Sequence, residues 1–288
     1  MRKGYLYGAL SAVLFGSCGI IIKIAFEEGM DSINILIFQY IISIPIMFFA
    51  MLFIDKSMLK IDRKGLYHTA VLGIVGNTFM TVFYYGAFNY LDVSVVTILL
   101  YTYPIMVFTY SLVFEKNTLN FNKLCDVLIA FAGCFLTLGL INGVGNFPIK
   151  GCIFGILAAL FYTFMNIYSE KYMIELNPLT MNFYSIIFSL LSLMVLRFPA
   201  QSFKMDLSVQ LIVCVIMLAV LCEIIPVTLL YAAIKEIGSL KVSIIGNLEI
   251  PTAMLLSFLI LGESISWLQV IGAAMVIYAV YNIKKVGG

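Results

Sequence analysis

Two glutamates stand where a carboxylate is hardest to keep. Glu223 falls about midway along an apolar run over 208–234, and Glu249 near the middle of another over 240–261. A charge at membrane depth costs from about 2.5 kcal/mol upward, so such a group is expected to face a watery cavity or a partner. There it can carry a proton or oppose a cationic solute; the plainer reading is a structural hydrogen bond. Tyr84, Tyr85, Tyr101, Tyr103, Tyr162 and Tyr231 also fall mid-run, in a chain with 17 Tyr and 23 Phe but 1 Trp. An aromatic wall beside carboxylates suits an amine or a quaternary ammonium group, although helix packing accounts for part of the set. Tyr101 and Tyr103, two apart, are expected on different faces of one helix.

Prolines mark the next candidates. Pro104 and Pro251 each lack an N–H and so free a carbonyl four residues back, at Leu100 and Asn247. Interrupted helices at matching places in two halves of one membrane bundle point to a central site and to a bending point. Pro226, one turn after Glu223, is a third candidate hinge. Lys23 can snorkel outward, Asp126 reads as interfacial, and His68, the single histidine, falls at one end of its run. Tyr5, Tyr7, Tyr67 and Tyr281 suit interfacial anchoring. Cys18, Cys125, Cys134, Cys152, Cys214 and Cys222 form no CxxC pair and read as small buried hydrophobes. Gly16, Gly19, Gly73, Gly76, Gly155, Gly246 and Gly272 are expected to permit close helix contact.

The elements that position these residues follow from composition. Apolar residues make up 62% of the 288 and charged residues 11%, with mean hydropathy +1.07. Soluble domains carry roughly 45–50% and about 25%, and could not hide this much apolar surface. The runs lie at 4–26, 33–54, 66–90, 93–114, 123–141, 150–172, 179–198, 208–234, 240–261 and 266–283. Each is near the roughly 20 residues that cross a bilayer as a helix, and in lipid each must satisfy its own backbone. The expectation is an all-α polytopic membrane protein of ten transmembrane helices. The first run is too long for a signal-peptide core and lacks its cleavage motif, so it counts as a span.

Basic residues set the orientation. With a cytoplasmic N-terminus, that side collects Arg2, Lys3, Lys56, Lys60, Arg63, Lys64, Lys116, Lys123, Lys171, Lys235, Lys241, Lys284 and Lys285. The other side collects Lys150, Arg197 and Lys204. Both termini are therefore expected in the cytoplasm, with the chain in a bacterial inner membrane. The net charge of +2 calls for no nucleic-acid partner.

A repeat is also visible. At an offset of 147, Lys3-Gly4 falls on Lys150-Gly151, Gly8 on Gly155, and Tyr103-Pro104 on Ile250-Pro251. Five helices per half is an odd number, so the second half enters from the other face, giving two inverted five-helix repeats over 1–144 and 145–288. Four stretches carry a family resemblance: Gly8-Ala9-Leu10-Ser11-Ala12-Val13-Leu14-Phe15-Gly16, Gly155-Ile156-Leu157-Ala158-Ala159-Leu160-Phe161-Tyr162, Asn247-Leu248-Glu249-Ile250-Pro251, and Leu261-Gly262-Glu263 with Gln269-Val270-Ile271-Gly272-Ala273. Tyr103-Pro104, Glu115 and Gly133 form a weaker first-half copy. The chain thus resembles the EamA-type branch of the drug/metabolite transporter superfamily over essentially its whole length. The resemblance implies a cavity between the halves and transport by alternating access. Many members carry an Arg in the second helix where this chain has Gln39, so no role of that Arg transfers.

The reading is a secondary transporter for a small metabolite, expected to be an amine, amino acid or similar cationic or zwitterionic solute. Glu223, Glu249, Asn247, Tyr101, Tyr85, Tyr162 and Tyr231 would serve binding or proton coupling, and Pro104, Pro251 and Pro226 gating. The expected partners are the solute, the bilayer and a coupling proton. No cofactor or metal is called for, and no phosphate loop, HExxH or paired nucleophile and base argues for an enzyme. The alternatives are an exporter of neutral or acidic metabolites with structural carboxylates, and a non-transporting intramembrane enzyme or scaffold.

Overall fold

Helix boundaries follow the polar residues between the apolar runs. Asp31 caps one helix by accepting from the N–H groups of Ile33 and Asn34, Asp62 caps another through Gly65, and Ser208 a third through Leu211. Each satisfies N–H groups that a helix start leaves without partners. Gly238, at φ 84°, ends one helix and opens the next, a left-handed turn that favours glycine. The computed structural model describes residues 2–91, 93–114, 121–139, 148–172, 174–196, 208–262 and 264–285, and no strand occurs among them.

The helices in chain order are α1 (Arg2–Glu27), α2 (Ser32–Ile54), α3 (Arg63–Ala87) and α4 (Val93–Leu100 and Tyr103–Val113). Then come α5 (Phe121–Thr137), α6 (Ile149–Tyr172), α7 (Pro178–Leu196) and α8 (Val209–Ile237). The last two are α9 (Ser239–Gly246 and Glu249–Leu256, with a π turn Ser257–Leu261) and α10 (Trp267–Lys285). Eight of these, all but α5 and α10, contain stretches long and apolar enough to cross a membrane. The chain is a multi-pass membrane protein. Of the ten expected spans, α5 and α10 are the shorter two: α5 has 17 residues, and the apolar part of α10 is Trp267–Ile283. Glu115, Lys116, Asn142, Gly143, Arg197, Lys204 and Glu263 lie outside the described residues, as does the side chain of Lys23.

Two irregularities match between the halves. Helix α4 breaks at residues 101–102 and α9 at 247–248, each just ahead of Pro104 or Pro251. Helices α3 and α8 each contain a π segment, Leu72–Thr78 and Leu218–Ile224, a widening that frequently occurs at functional sites. The π segments are 146 residues apart. Two buried serines, Ser43 of α2 and Ser189 of α7, share that offset. Ser43 donates to the Ala219 carbonyl at 3.4 Å, and Ser189 to the Gly73 carbonyl at 2.9 Å. Ala219 and Gly73 are also 146 apart, so the two bonds are reciprocal: each half supplies a serine to the other half's π segment. Carbonyls loosened by the widening are thereby satisfied in a place with little water.

Close contact between helices rests on several of the expected glycines. A Cβ on Gly16 would meet the Glu249 carbonyl oxygen at 2.7 Å, and one on Gly155 the Leu99 side chain at 2.6 Å. Helices α5 and α10 touch backbone to backbone, where a Cβ on Gly272 would lie 2.6 Å from both the Gly133 carbonyl and the Thr137 nitrogen. Gly272→Leu must push these helices apart; we expect it to destabilise by about 1–3 kcal/mol, read as a lower melting temperature in detergent. An unchanged melting curve would refute so close an approach. Gly19 departs from the expectation. Nothing lies within 4 Å of a Cβ there, because it faces an opening in the bundle.

Candidate functional site

That opening is a cavity of about 260 Å³ at mid-height, walled by residues of α1, α2, α3, α4, α6, α8 and α9. Its volume is close to the lower bound of small-molecule sites, roughly 300 Å³. Glu223 and Glu249 are both in its wall, and among the described lining residues there is no Lys, Arg or His. Of the other expected binding residues, Tyr85, Tyr101, Tyr162 and Tyr231 also line it, together with Tyr40, Tyr84 and Tyr103.

Glu223 sits inside the π segment of α8 and is 6% exposed. Its Oε2 accepts from Gln39 Nε2 at 3.3 Å, while Oε1 has no hydrogen-bond partner. Asn182 of α7 donates to the Glu223 carbonyl at 3.4 Å. Next to Gln39, the Tyr40 hydroxyl accepts from Asn77 Nδ2 at 3.0 Å. Asn77 lies in the π segment of α3, 146 residues before Glu223, so matching places in the halves present an amide and an acid to one cavity. Sequence reasoning missed Gln39, Tyr40 and Asn77 as site residues. Their signal was faint, since neutral amides and tyrosines in apolar helices are ordinary, and at the 147-residue offset visible in the sequence Asn77 falls on Ile224 and not on Glu223.

Glu249 opens the second piece of α9, just past the break, and its carboxylate accepts from the Tyr101 hydroxyl. Tyr103 donates to the Ser243 carbonyl at 2.9 Å. Tyr101 and Tyr103 do share the cavity wall, with ring centroids 6.1 Å apart, against the expectation for two residues of one helix. The break at 101–102 explains it: the chain there is not helical, so a two-residue spacing need not turn the side chain away.

Asn247 is placed otherwise than expected. It does not line the cavity. It is 1% exposed, and its amide donates to the carbonyls of Ser243 and Ile244 at 3.3 and 3.1 Å. Its own carbonyl, expected to be freed by Pro251, accepts from the Ile250 N–H at 3.2 Å, because the broken backbone tightens into a three-residue turn. Pro104 and Pro251 are buried near the starts of the second pieces of α4 and α9. The Pro226 carbonyl accepts from Ser11 of α1 at 2.7 Å.

The remaining candidates lie elsewhere. His68 is hydrogen-bonded to the Tyr168 hydroxyl at 2.6 Å and stacks on Tyr172, outside the cavity wall. Asp126, expected at an interface with water, is 3% exposed and hydrogen-bonded to Asn282 of α10, because α10 covers that face of α5. Cys18 of α1 and Cys222 of α8, both in the cavity wall, are joined as a disulfide with Cα atoms 5.7 Å apart. The expectation of six unpaired cysteines is corrected for these two; the others described are free.

The end of the bundle carrying both termini is held by several close contacts. A Cβ on Gly4 would lie 2.7 Å from side-chain atoms of Glu236 and Ile237. Glu170 of α6 accepts from the Ser239 N–H at the start of α9 at 2.9 Å, and Lys171 donates to the Tyr110 hydroxyl at 2.8 Å. Towards the opposite end the cavity wall continues through Gly19, Ile22, Leu36, Met80 and Tyr85.

Known proteins align along the whole chain. An uncharacterized transporter of Archaeoglobus fulgidus is 23% identical over 97% of this chain and 96% of its own length. The uncharacterized transporter YcbK of Bacillus subtilis is 23% identical over 98% and 92%. A protein of known crystal structure, 16% identical, superposes on all of this chain and 98% of its own with a TM-score of 0.82, which shows a shared fold. The model of the EamA-like transporter family matches twice, over residues 2–139 and 149–283. With a helical bundle that crosses the membrane several times, a cavity at mid-height and a family match in each half, the chain belongs to the EamA-like transporter family.

Proposed function

We propose that this membrane transporter is a secondary carrier of small amine-bearing solutes, working by alternating access between two inverted repeats, 1–144 and 145–288. Helices α5 and α10 would complete ten spans, both termini would lie in the cytoplasm of a bacterial cell, and a proton could be the coupling ion. One observation carries the choice of solute: two carboxyl groups share a tyrosine-walled cavity with no cationic side chain among its described lining residues. Such a wall opposes anions and suits an ammonium group, which gains from the carboxylates and from the aromatic faces. Close contacts at the terminal end, with cavity lining that continues towards the other, support a state open to one side. The breaks at 101–102 and 247–248 supply bending points in the two helices that would have to rearrange.

Exchange in proteoliposomes tests this. Vesicles loaded with an unlabelled primary amine should take up the labelled amine, and neutral or anionic solutes of the same size should not compete. Gly19→Phe serves as the plug. Its ring enters open space, so exchange should be lost while the melting temperature holds. Equal competition by a carboxylic acid would overturn the amine assignment, and full exchange through the Gly19→Phe protein would overturn the cavity as the path.

A further inference from the structure

The two carboxyl groups are set apart in ways that matter for the solute. Glu223 belongs to α8 and faces Gln39 of α2; Glu249 belongs to α9 and is held by Tyr101 of α4. Helix α1 packs against both α8 and the second piece of α9. Its Gly16 abuts the Glu249 backbone and its Cys18 is bonded to Cys222, next to Glu223. The carboxyls therefore lie on the two flanks of α1, each with its own neighbours, and do not form a dyad sharing one proton.

Neither has a cationic partner in the cavity wall. Gln39 offers Glu223 a neutral amide, and Glu223 Oε1, in a residue 94% buried, has no hydrogen-bond partner. A buried polar atom left so is costly unless something else meets it. Four of the tyrosine hydroxyls in the wall are engaged with protein: Tyr40 with Asn77, Tyr84 with Thr97, Tyr103 with Ser243 and Tyr231 with Ser185. What these side chains still offer the cavity is chiefly ring surface, which attracts ammonium groups and packs against methylenes.

From these observations we infer that the site is ditopic, and that its preferred solute carries two ammonium groups on a short apolar chain, one end at Glu223 and the other at Glu249. This rests on the amine reading above and narrows it. A monoamine satisfies one carboxyl and leaves the other without a counter-charge. A diamine of matching length satisfies both, the second contact forming at high effective concentration once the first is made.

Binding by the full-length protein in nanodiscs, measured calorimetrically, tests the inference with linear monoamines and α,ω-diamines of three to eight methylenes. The diamine of best length should bind roughly 10–100-fold more tightly than the monoamine of that length, and affinity should fall on both sides of that optimum. Glu223→Gln and Glu249→Gln, isosteric changes checked by their melting temperatures, should each bring the diamine down to monoamine affinity. Diamines no tighter than monoamines in the wild type would overturn the ditopic site yet leave the amine reading standing, and need no variant to fold. A steady gain with chain length, equal for the two series, would mean apolar burial alone and would overturn it too. If neither series binds, the amine reading itself fails, and the ditopic site with it.

Discussion

The Glu223→Gln protein should fold, reconstitute and move almost no amine. The substitution keeps the shape of the side chain and its contact with Gln39, whose amide can turn to present either its N–H or its carbonyl. It removes the charge that meets the solute. Losing one member of a desolvated charge pair costs about 2–5 kcal/mol, and 1.4 kcal/mol is a factor of ten, so initial exchange rates at low substrate should drop at least about thirtyfold. The melting temperature should hold or rise, because the variant places a neutral amide where the wild type places a carboxyl with one atom lacking a partner. The pH dependence of exchange supplies the second readout: if Glu223 carries the coupling proton, the variant should exchange solute with a flattened profile. Wild-type rates together with a wild-type pH profile would remove Glu223 from the mechanism. A variant that unfolds would instead assign Glu223 to the packing of α8 against α2.

How legible was this site from the chain alone? Glu223 and Glu249 announced themselves, since an acid in the middle of a long apolar run is a costly thing to retain. The broken helices were legible through Pro104 and Pro251, whose missing N–H groups weaken a helix, although Pro45 sits inside α2 without breaking it. What the breaks did to their neighbours was not. Two residues of spacing argued that Tyr101 and Tyr103 part company, and the loss of helix at 101–102 brought both to the cavity. Asn247 misled for the same reason: its carbonyl, expected to be open to a ligand, is taken by Ile250 once the backbone tightens. The Cys18–Cys222 pair has a sequence separation of 204, and nothing local to either cysteine marks it. The repeat was visible at an offset of 147, whereas the reciprocal serine bonds and the π segments run at 146. The prolines keep the offset of 147, but the breaks ahead of them, at 101–102 and 247–248, run at 146 like the π segments, and only packing reveals which register governs the cavity.

Gln39 is the residue whose importance the chain concealed most, and changing it gives the second large effect. In Gln39→Arg a guanidinium replaces the amide that now lies 3.3 Å from Glu223 Oε2. Its planar fork can engage both carboxylate oxygens, including the one that is unpartnered in the wild type. The protein would then hold its own cation against Glu223, and a solute ammonium would have to compete with a tethered one. Exchange should fall about as far as in Glu223→Gln, at least about thirtyfold by the same charge-pair magnitude. Stability should change little, since a buried ion pair roughly breaks even against the desolvation it requires. Gln39→Leu separates charge from shape. It removes the donor to Glu223 without adding a cation, so the protein should lose about 1–3 kcal/mol of stability and keep amine exchange within a few-fold of wild type. The double variant Gln39→Arg with Glu223→Gln decides between competition and simple obstruction. If the arginine acts through Glu223, the two defects should not multiply, and adding Glu223→Gln to Gln39→Arg should cost nothing further. Independent defects that multiply would show that the arginine blocks the cavity by bulk. Exchange by Gln39→Arg at the wild-type rate would mean that the α2–α8 contact lies off the solute's path.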